Sequence, residues 1–308
     1  MKRRGEAIDG FVVLDKPLGV SSTAAMAQVR RALGAAKAGH GGTLDPLASG
    51  VLVVALGEAT KLIPFVMDAA KEYEFTVRWG EARTTDDAEG AVSATSPVRP
   101  DAAAIAAALP RFLGTIVQTP PAFSAIKIDG ARAYDLARAG EAVEIKPRSV
   151  FISRFVLVRC DDPDHATFRV VCGKGTYVRS LARDLAAALG TVGHVSALRR
   201  LAVGRFRVED AISLDKLASL GHSPARSAAL RPVETALDDI PALAVTEDTA
   251  RRIRHGQVVP LAEAHGSLPG DFISGRSDKT VALFHGGRLV AIAAFDGRGL
   301  KPVRVFNT

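Results

Sequence analysis

Hydrophobic and polar positions follow two patterns along the chain. In residues 73–79 (YEFTVRW) every second side chain is apolar, which predicts a half-buried strand with Tyr73 on its apolar face. Residues 51–56 (VLVVAL) form an uninterrupted apolar run rich in β-branched residues, which predicts a buried strand. In residues 178–189, apolar side chains recur at helical spacing, and Gly190 is placed to close the helix.

Further elements follow from turn and cap signals. Residues 9–22 (DGFVVLDKPLGVSS) predict a short buried strand, a turn and a helix that begins with a cap at Ser22. Residues 99–114 predict an alanine-rich helix that stops near Pro110. In residues 281–295 (VALFHGGRLVAIAAF) two apolar runs flank a Gly-Gly pair, which predicts a hairpin. Together these elements predict an α+β protein.

The length and the change of pattern predict two domains. The chain has 308 residues, with 47% hydrophobic and 24% charged residues, which is typical of globular proteins with a sizeable core. Near residues 240–245 the pattern changes to a short capped helix and a hairpin. We therefore predict one domain over 1–242, with an irregular insert at about 120–149, and a small β-rich module over 243–308.

Charge and cysteine content indicate the partner and the compartment. A formal net charge of +7 favours a polyanionic partner, although many basic proteins bind no nucleic acid. Cys160 and Cys172 lack the spacing of metal ligands and indicate buried thiols in a reducing compartment. No apolar run is long enough to span a bilayer or to act as a secretory signal. We expect a cytoplasmic protein without a membrane partner.

A single carboxylate lies in a glycine-rich loop within residues 39–54 (GHGGTLDPLASGVLVV). Asp45 precedes a proline, a pairing that is typical of a helix cap. The glycines let a ligand approach the backbone, and His40 and Thr43 add hydrogen-bonding groups. A metal site would need more ligands, and the carboxylates of residues 84–90 (TTDDAEG) are not ordered as a ligand set. Three roles stay open for Asp45: a structural role in a turn or helix cap, a metal ligand or a nucleophile.

A second candidate segment is a predicted strand, glycine turn and helix in residues 168–190. Tyr177 and Arg179 stand at the start of this helix, where anions are attracted. From Lys174 to Arg207 the chain has seven Lys or Arg and one Asp. Such a run is usually a solvated face, and a tyrosine there is often half-buried with its hydroxyl in water. The same residues also suit phosphate binding and base stacking.

Six segments together resemble the TruB family of bacterial tRNA pseudouridine synthases. They follow one another in the family's order: DKPLGVSS (15–22), GHGGTLDPLASGVLVVALGEATK (39–61), KEYEF (71–75), PPAFSAIKIDGARAYDLARAG (120–140), GKGTYVRSLARDL (173–185) and VSALRRLAVGRF (195–206). A glycine loop alone is not decisive, whereas this ordered set is highly specific. The resemblance implies a mixed, mainly antiparallel sheet with flanking helices, followed by a small PUA-like RNA-binding module.

The resemblance also implies an activity and its central residues. The family converts the uridine at position 55 in the T-loop of tRNA into pseudouridine. Asp45 would be the catalytic aspartate, and Arg179 would pair with its carboxylate. Tyr73 would stack on the target uracil and be poised for proton transfer. Tyr177 and Leu198 would line the uracil pocket.

The remaining matched residues would bind or support the substrate. His40 would hold the flipped nucleotide or a neighbouring base, and Lys16 would support the active-site loop. Gly42 and Thr43 belong to the glycine-rich segment that would approach the substrate. The insert at about 120–149 would grip the T-stem and T-loop of a tRNA, with the protein acting as a monomer.

One segment departs from the family pattern. The family often shows T-D-T-x-D after the strand that begins with the tyrosine, whereas this chain has RTTDD at 83–87. Arg83 and Thr84 therefore replace the first Thr and Asp. The departure affects the expected structure of this loop, since Asp45 and the other catalytic residues are present.

The chemistry that the resemblance implies needs no cofactor and no metal, because neither electrons nor phosphate are transferred. The uracil must be flipped out of the loop, stacked on an aromatic ring and brought to a charged carboxylate. A neighbouring guanidinium would favour that charge in a confined site. Two alternatives remain: a non-catalytic RNA-binding or tRNA-folding protein on the same scaffold, and a metal-dependent hydrolase built on His40, Asp45 and Asp87.

Overall fold

The computed structural model of the protein describes residues 5–124, 127–128, 131–134, 145–220, 224–237, 240–269, 272 and 280–307. The rest of the predicted insert at about 120–149 lies outside the described residues. The helices within this part of the chain are α1 (Ser22–Leu33), α2 (Ile63–Asp68), α3 (Ala102–Ala108), α4 (Val178–Ala188), α5 (Leu214–Ser219) and α6 (Glu247–Arg254).

The described strands, in chain order, are β1 (Gly10–Lys16), β2 (Ala38–His40), β3 (Ala48–Leu56), β4 (Lys71–Trp79), β5 (Glu81–Arg83), β6 (Val92–Thr95), β7 (Gly114–Gln118), β8 (Lys127–Ile128), β9 (Ala131–Arg132), β10 (Arg148–Asp162), β11 (His165–Cys172), β12 (Gly193–Val203), β13 (Phe206–Arg207), β14 (Ile212–Ser213), β15 (Ala242–Val245), β16 (Val259–Pro260), β17 (Ala264–His265), β18 (Thr280–His285), β19 (Arg288–Phe295) and β20 (Gly299–Val305).

Two sheets organise these strands. The first has ten strands in the order β14-β1-β3-β12-β4-β11-β10-β7, with β2 paired to β3 and β13 to β12. Within it β1 is parallel to β14 and β3 is parallel to β12, whereas the other neighbouring strands named here are antiparallel. The second sheet has six strands in the order β16-β20-β19-β18-β15-β17. This α+β architecture, with a mainly antiparallel sheet and a β-rich C-terminal part, confirms the predicted fold class.

Burial in the first sheet follows the sequence pattern. Every residue of β3 from 51 to 56 is buried, as the uninterrupted apolar run predicts. In β4, Phe75, Val77 and Trp79 are buried while their neighbours are partly exposed, as the alternation predicts. The apolar face of α4 packs on the same core cluster as these three side chains. The core therefore holds β4 and the beginning of α4 side by side.

The start of α1 differs from the prediction in one residue. Ser21, and not Ser22, is the N-cap, since its side chain accepts a hydrogen bond from the Ala24 N–H. Ser22 is buried and turns inward, where its Oγ accepts from the Leu44 N–H at 2.8 Å and donates to the Leu44 carbonyl at 2.9 Å. The helix ends at Gly34, which adopts the left-handed conformation with φ of 69°.

The two cysteines differ in burial. Cys172 is buried and Cys160 is exposed, and neither forms a disulfide. The prediction of a buried thiol is wrong for Cys160, because it lies in the last five residues of β10, where the strand extends past the core and every side chain is exposed.

One buried hydrophobic cluster contains side chains from both sheets. Phe11 and Phe206 of the first sheet lie in the same buried cluster as Ile292 of the second and Phe306 just beyond β20. In addition, the ammonium of Lys61 donates to the carbonyl of Val305 at 2.7 Å. The second sheet begins at Ala242, although the boundary between domains stays a prediction.

None of the described helices combines the length and the apolar character that crossing a bilayer requires.

Candidate active site

A cavity of about 620 Å³ lies where β4 and β12 meet the loop before β3 and the beginning of α4. Its walls include most of the side chains selected from the sequence. Those that line it are Gly42, Thr43, Asp45, Tyr73, Tyr177, Arg179 and Leu198. Segments far apart in the chain therefore converge on one concave site. His40 and Lys16, which were also selected, do not line the cavity.

Asp45 lies in a turn and not at a helix start. Its carbonyl accepts a hydrogen bond from the Ala48 N–H at 3.0 Å, and β3 begins at Ala48. The helix-cap interpretation is therefore wrong, because the proline after Asp45 leads into a turn and a buried strand. The Asp45 side chain keeps 40% of its surface exposed, so its carboxylate is accessible from the cavity.

Arg179 in the first turn of α4 is held from four directions. Its Nη2 lies 2.9 Å from Asp45 Oδ2, and its Nη1 lies 3.4 Å from Asp87 Oδ2. The guanidinium also donates to the carbonyl of Thr85 at 2.8 Å and to that of Phe123 at 2.9 Å. The side chain is only 5% exposed, which makes its position well defined. One buried cation thus orients the accessible carboxylate and neutralises a buried one.

Tyr73 presents its ring to the cavity from β4. The ring packs against the main core cluster at one edge, while the residue itself lines the cavity. Burial raises the pKa of the Tyr73 hydroxyl, and the nearby Arg200 guanidinium opposes this effect. The phenol is therefore neutral at ordinary pH and can stack on a planar ligand or exchange a proton.

Tyr177 is fixed by two residues that the sequence did not single out. The buried Gln118 side chain accepts from the Tyr177 N–H at 2.8 Å and donates to its carbonyl at 3.1 Å. The Arg148 guanidinium lies 5.0 Å from the centre of the Tyr177 ring, at the distance of a cation–π contact. Arg148 also donates to the Gly175 carbonyl, so it ties β10 to the glycine turn beside the cavity.

Gly42, Thr43 and Leu198 contribute uncharged residues to the cavity wall. Gly42 has φ of 104°, in the left-handed region that favours glycine. Leu198 of β12 is paired with Phe75 of β4 and with Ala48 of β3, at the junction of the antiparallel and parallel parts of the sheet. These residues place backbone and aliphatic surface in the same cavity wall as Asp45.

Lys16 supports the Asp45 turn from behind. Its side chain is fully buried, and its ammonium donates to the carbonyls of Val20 at 2.7 Å, Pro17 at 2.9 Å and Pro46 at 3.5 Å. Burial lowers the pKa of Lys16 to about 8, although the nearby Asp45 charge opposes this effect. The lysine therefore acts on the loop and not directly on a ligand in the cavity.

His40 lies at the end of β2, behind the glycine-rich loop. Its Nδ1 is buried without a hydrogen-bond partner in the described structure. Burial lowers the pKa of His40, and the Arg200 charge lowers it further, so the neutral imidazole is favoured.

Two further cations of the cavity wall were missed in the sequence. Arg200 of β12 is 1% exposed and lies in the cavity wall. The signal for it was available, because Arg200 alternates with Leu198 and Ala202, which places a cation on the apolar face of a strand. The other is Lys71, whose ammonium donates to the carbonyls of Met67 and Ala69 and whose pKa burial lowers to about 8.

The loop that departs from the family pattern still reaches the site. Arg83 donates to the carbonyl of Gly90 at 2.9 Å and contacts Glu81, which keeps it away from the cavity. Thr85 and Asp87 contact Arg179 as described above. With Arg83 and Thr84 in this loop, its contacts with Arg179 are therefore formed.

The geometry does not favour the metal-dependent hydrolase. Arg179 lies between the carboxylates of Asp45 and Asp87, where a metal ion would otherwise be expected. Over the described ranges, no three His, Cys, Asp or Glu side chains are grouped so as to hold a metal ion.

Comparison with known proteins agrees with this fold. Residues 30–178 match the family described as "TruB family pseudouridylate synthase (N terminal domain)", and residues 179–238 match the "tRNA pseudouridylate synthase B C-terminal domain". A tRNA pseudouridine synthase B of Rhodospirillum rubrum is 53% identical over 306 residues, which cover 99% of each chain. Another protein of that name, from Gluconacetobacter diazotrophicus, is 52% identical over 305 residues, again 99% of each chain.

A solved structure has the same fold. A chain in the "Crystal Structure of a Cbf5-Nop10-Gar1 Complex" superposes with a TM-score of 0.77 at 26% identity, covering 97% of this chain and 85% of that one. Fold and sequence together define the class: the protein is a pseudouridine synthase, an isomerase. Within that class the chain belongs to the TruB family of pseudouridylate synthases, as its sequence motifs predicted.

Proposed function

We propose that the protein isomerises the uridine at position 55 in the T-loop of tRNAs to pseudouridine, as a cytoplasmic monomer. The observation that carries the proposal is the convergence of Asp45, Tyr73 and Arg179 on one cavity, with Arg179 Nη2 2.9 Å from the Asp45 carboxylate. The names of the full-length relatives support tRNA as the substrate. The free state of both cysteines supports a reducing compartment.

The dimensions and charge of the cavity suit one flipped nucleotide. A volume of about 620 Å³ is within the usual range for small-ligand sites. Lys174, Arg148 and Lys71 add positive charge to its walls, where the phosphates beside a flipped base would lie. Flipping the base costs the free energy of unstacking. Contacts between the basic rim of the cavity and the RNA backbone offset this cost.

The residues then divide the chemistry. Tyr73 stacks on the uracil, and Asp45 provides the negatively charged oxygen that acts on the sugar or the base. The N1–C1′ bond breaks, the uracil turns, and a C5–C1′ bond forms. The proton from C5 passes to solvent and N1 gains a proton, so atoms and electrons balance without any other reactant. Arg179 holds the Asp45 carboxylate in place throughout.

A T-arm stem-loop labelled with tritium at C5 of the target uridine tests the proposal. The wild-type protein should release tritium to water in excess EDTA, and Asp45→Asn should release none above background while still binding the RNA. Asp210→Asn is the matched control, because Asp210 pairs with Arg231 at the surface, 3.0 Å away, and neither residue lines the cavity. It should retain full activity.

The outcomes separate the alternatives. RNA binding without tritium release by the wild-type protein would favour the non-catalytic RNA-binding or tRNA-folding protein. Loss of turnover in EDTA that zinc restores, with the RNA fold controlled, would favour the metal-dependent hydrolase. Normal release by Asp45→Asn would remove Asp45 from the chemistry.

A further inference from the structure

Arg200 is a buried cation without a carboxylate partner in the described part of the chain. Its side chain is 1% exposed, and its hydrogen bonds go to backbone carbonyls: Nε to Val51 at 2.7 Å, Nη2 to Gly42 at 3.1 Å and Nη1 to Thr43 at 3.5 Å. Burying a charge costs free energy unless a counter-charge and hydrogen bonds offset it, so a buried cation without a carboxylate partner indicates a functional role. The fold alone would be served by an apolar side chain at this position, as at Leu198 and Ala202 on the same strand.

The contacts of Arg200 join three segments that carry the site. In the pairing of β12 with β4, Arg200 stands directly opposite Tyr73, and both residues line the cavity. The bonds to Gly42 and Thr43 reach the loop that leads to Asp45, and the bond to Val51 reaches β3. One rigid guanidinium therefore fixes the distance between the strand that presents the tyrosine and the loop that presents the aspartate.

The guanidinium also acts on its surroundings through its charge. It lies beside the Tyr73 hydroxyl, where it lowers the pKa of that group against the larger effect of burial. The same charge lowers the pKa of Lys71 and of His40, after burial as the main cause. Positive potential is thus concentrated at the Tyr73 end of the cavity, where a departing uracil carries negative charge.

We infer that Arg200 is a positioning residue of the isomerisation, which sets the place and polarity of the Tyr73 hydroxyl relative to the Asp45 loop. The inference rests on the proposed function. It assigns Arg200 an effect on the chemical step that is exerted through Tyr73, in addition to any effect on stability.

A double-mutant cycle measures this coupling. The variants are Arg200→Met, Tyr73→Phe and the two combined, each assayed for tritium release in single turnover at saturating T-arm RNA. We expect Arg200→Met to slow the chemical step about 10²-fold and Tyr73→Phe to slow it by a similar factor. The combined variant should be at most about 3-fold slower than Tyr73→Phe, because residues that act through one hydroxyl are not additive. RNA affinity, measured in the Asp45→Asn background, should change little.

Two further variants keep the test decisive. Arg199→Met is the matched control, because Arg199 is the neighbouring residue of β12 and pairs with Asp15 at 2.9 Å instead of facing the cavity. It should turn over normally. Arg200→Lys keeps the charge and the fold but loses the planar fork, and we expect about 10-fold slower turnover with an unchanged melting temperature. If Arg200→Met does not fold, Arg200→Lys replaces it in the double-mutant cycle. The combined variant should again be at most about 3-fold slower than Tyr73→Phe.

Additive losses in the combined variant, or normal turnover of Arg200→Lys, would overturn the inference while the wild-type protein still makes pseudouridine. Absence of tritium release from the wild-type protein would instead overturn the proposed function, so the two failures are distinguishable.

Discussion

At the scale of single residues, the site depends on cations that serve several partners at once. Arg179 contacts Asp45, Asp87 and two backbone carbonyls, so we expect it to have both a chemical and a structural role. Asp87 is 5% exposed and would be left as a buried, uncompensated charge without it. Stability and activity can therefore be separated by changing the partners of Arg179 one at a time.

Arg179→Met should lower the free energy of unfolding by about 3 kcal/mol, because the buried Asp87 carboxylate loses its counter-ion. Adding Asp87→Asn should recover part of that stability. The turnover of both variants should stay at least about 10²-fold below the wild type, because Asp45 still lacks its partner. Urea unfolding and single-turnover assays measure the two effects. Recovery of turnover together with stability would show that Arg179 acts on the fold alone.

Lys16 predicts a pH dependence of stability. Because burial lowers its pKa from 10.5 to about 8, the unfolded chain binds more protons than the folded one between these values. The contribution of Lys16 to the free energy of unfolding should therefore rise with pH across this window, by at most about 3 kcal/mol. The difference between wild type and Lys16→Met, measured by urea unfolding at pH 7.5 and 10, isolates it. A difference that falls or stays constant as pH rises would contradict the burial of a charged lysine.

At the scale of elements, the sequence predicted what is local and missed what depends on register. The alternation in β4, the apolar run of β3 and the capped helix α4 are encoded within short segments, and all three were found as predicted. The position of Arg200 opposite Tyr73 depends on how β12 pairs with β4, and periodicity within either strand cannot define that pairing. The Asp45–Pro46 pair is likewise compatible with a helix cap or a turn. The structure distinguishes the two, because β3 begins at Ala48.

The beginning of α1 offers a prediction about an element that supports the site. Ser21→Ala removes a helix cap, and Ser22→Ala removes the two bonds to Leu44 beside Asp45. Each should lower the free energy of unfolding by about 1–2 kcal/mol. Only Ser22→Ala should also slow turnover, by about 10-fold, because the Asp45 loop loses its tie to the helix. Urea unfolding and single-turnover kinetics compare the pair, and equal turnover of the two variants would contradict the role of Ser22.

At the scale of the whole molecule, the two sheets are joined through side chains and not merely by a linker. Phe306 and Ile292 belong to the cluster that also holds Phe11 and Phe206, and the Lys61 ammonium lies 5.6 Å from the Phe306 ring centre. The sequence pattern predicts a boundary at residue 242. The strands on either side of it form separate sheets, whereas one buried cluster includes side chains from both sides.

Removal of residues 243–308 should destabilise the remainder of the chain, because it exposes the apolar surface around Phe11. We expect a melting temperature lower by more than about 10 °C or loss of cooperative unfolding, as for a loss of several kcal/mol. Replacing exposed Lys301 by Ala in the full chain is the matched control and should leave the melting temperature unchanged. Calorimetry measures the melting temperatures. An unchanged melting temperature of the shortened chain would show that residues 1–242 do not depend on residues 243–308 for stability.

The contact of residues 305–307 with residues 58–61 has a consequence for biosynthesis. The N–H of Asn307 donates to the Glu58 carboxylate at 2.8 Å across a separation of 249 residues, and the Lys61 bond to Val305 lies beside it. A ribosome makes the chain from its N-terminus, so the residues around Glu58 emerge long before these partners exist. Until residues 299–307 have left the exit tunnel, the nascent chain carries an uncovered apolar face around Phe11, so this part of the core forms late in synthesis.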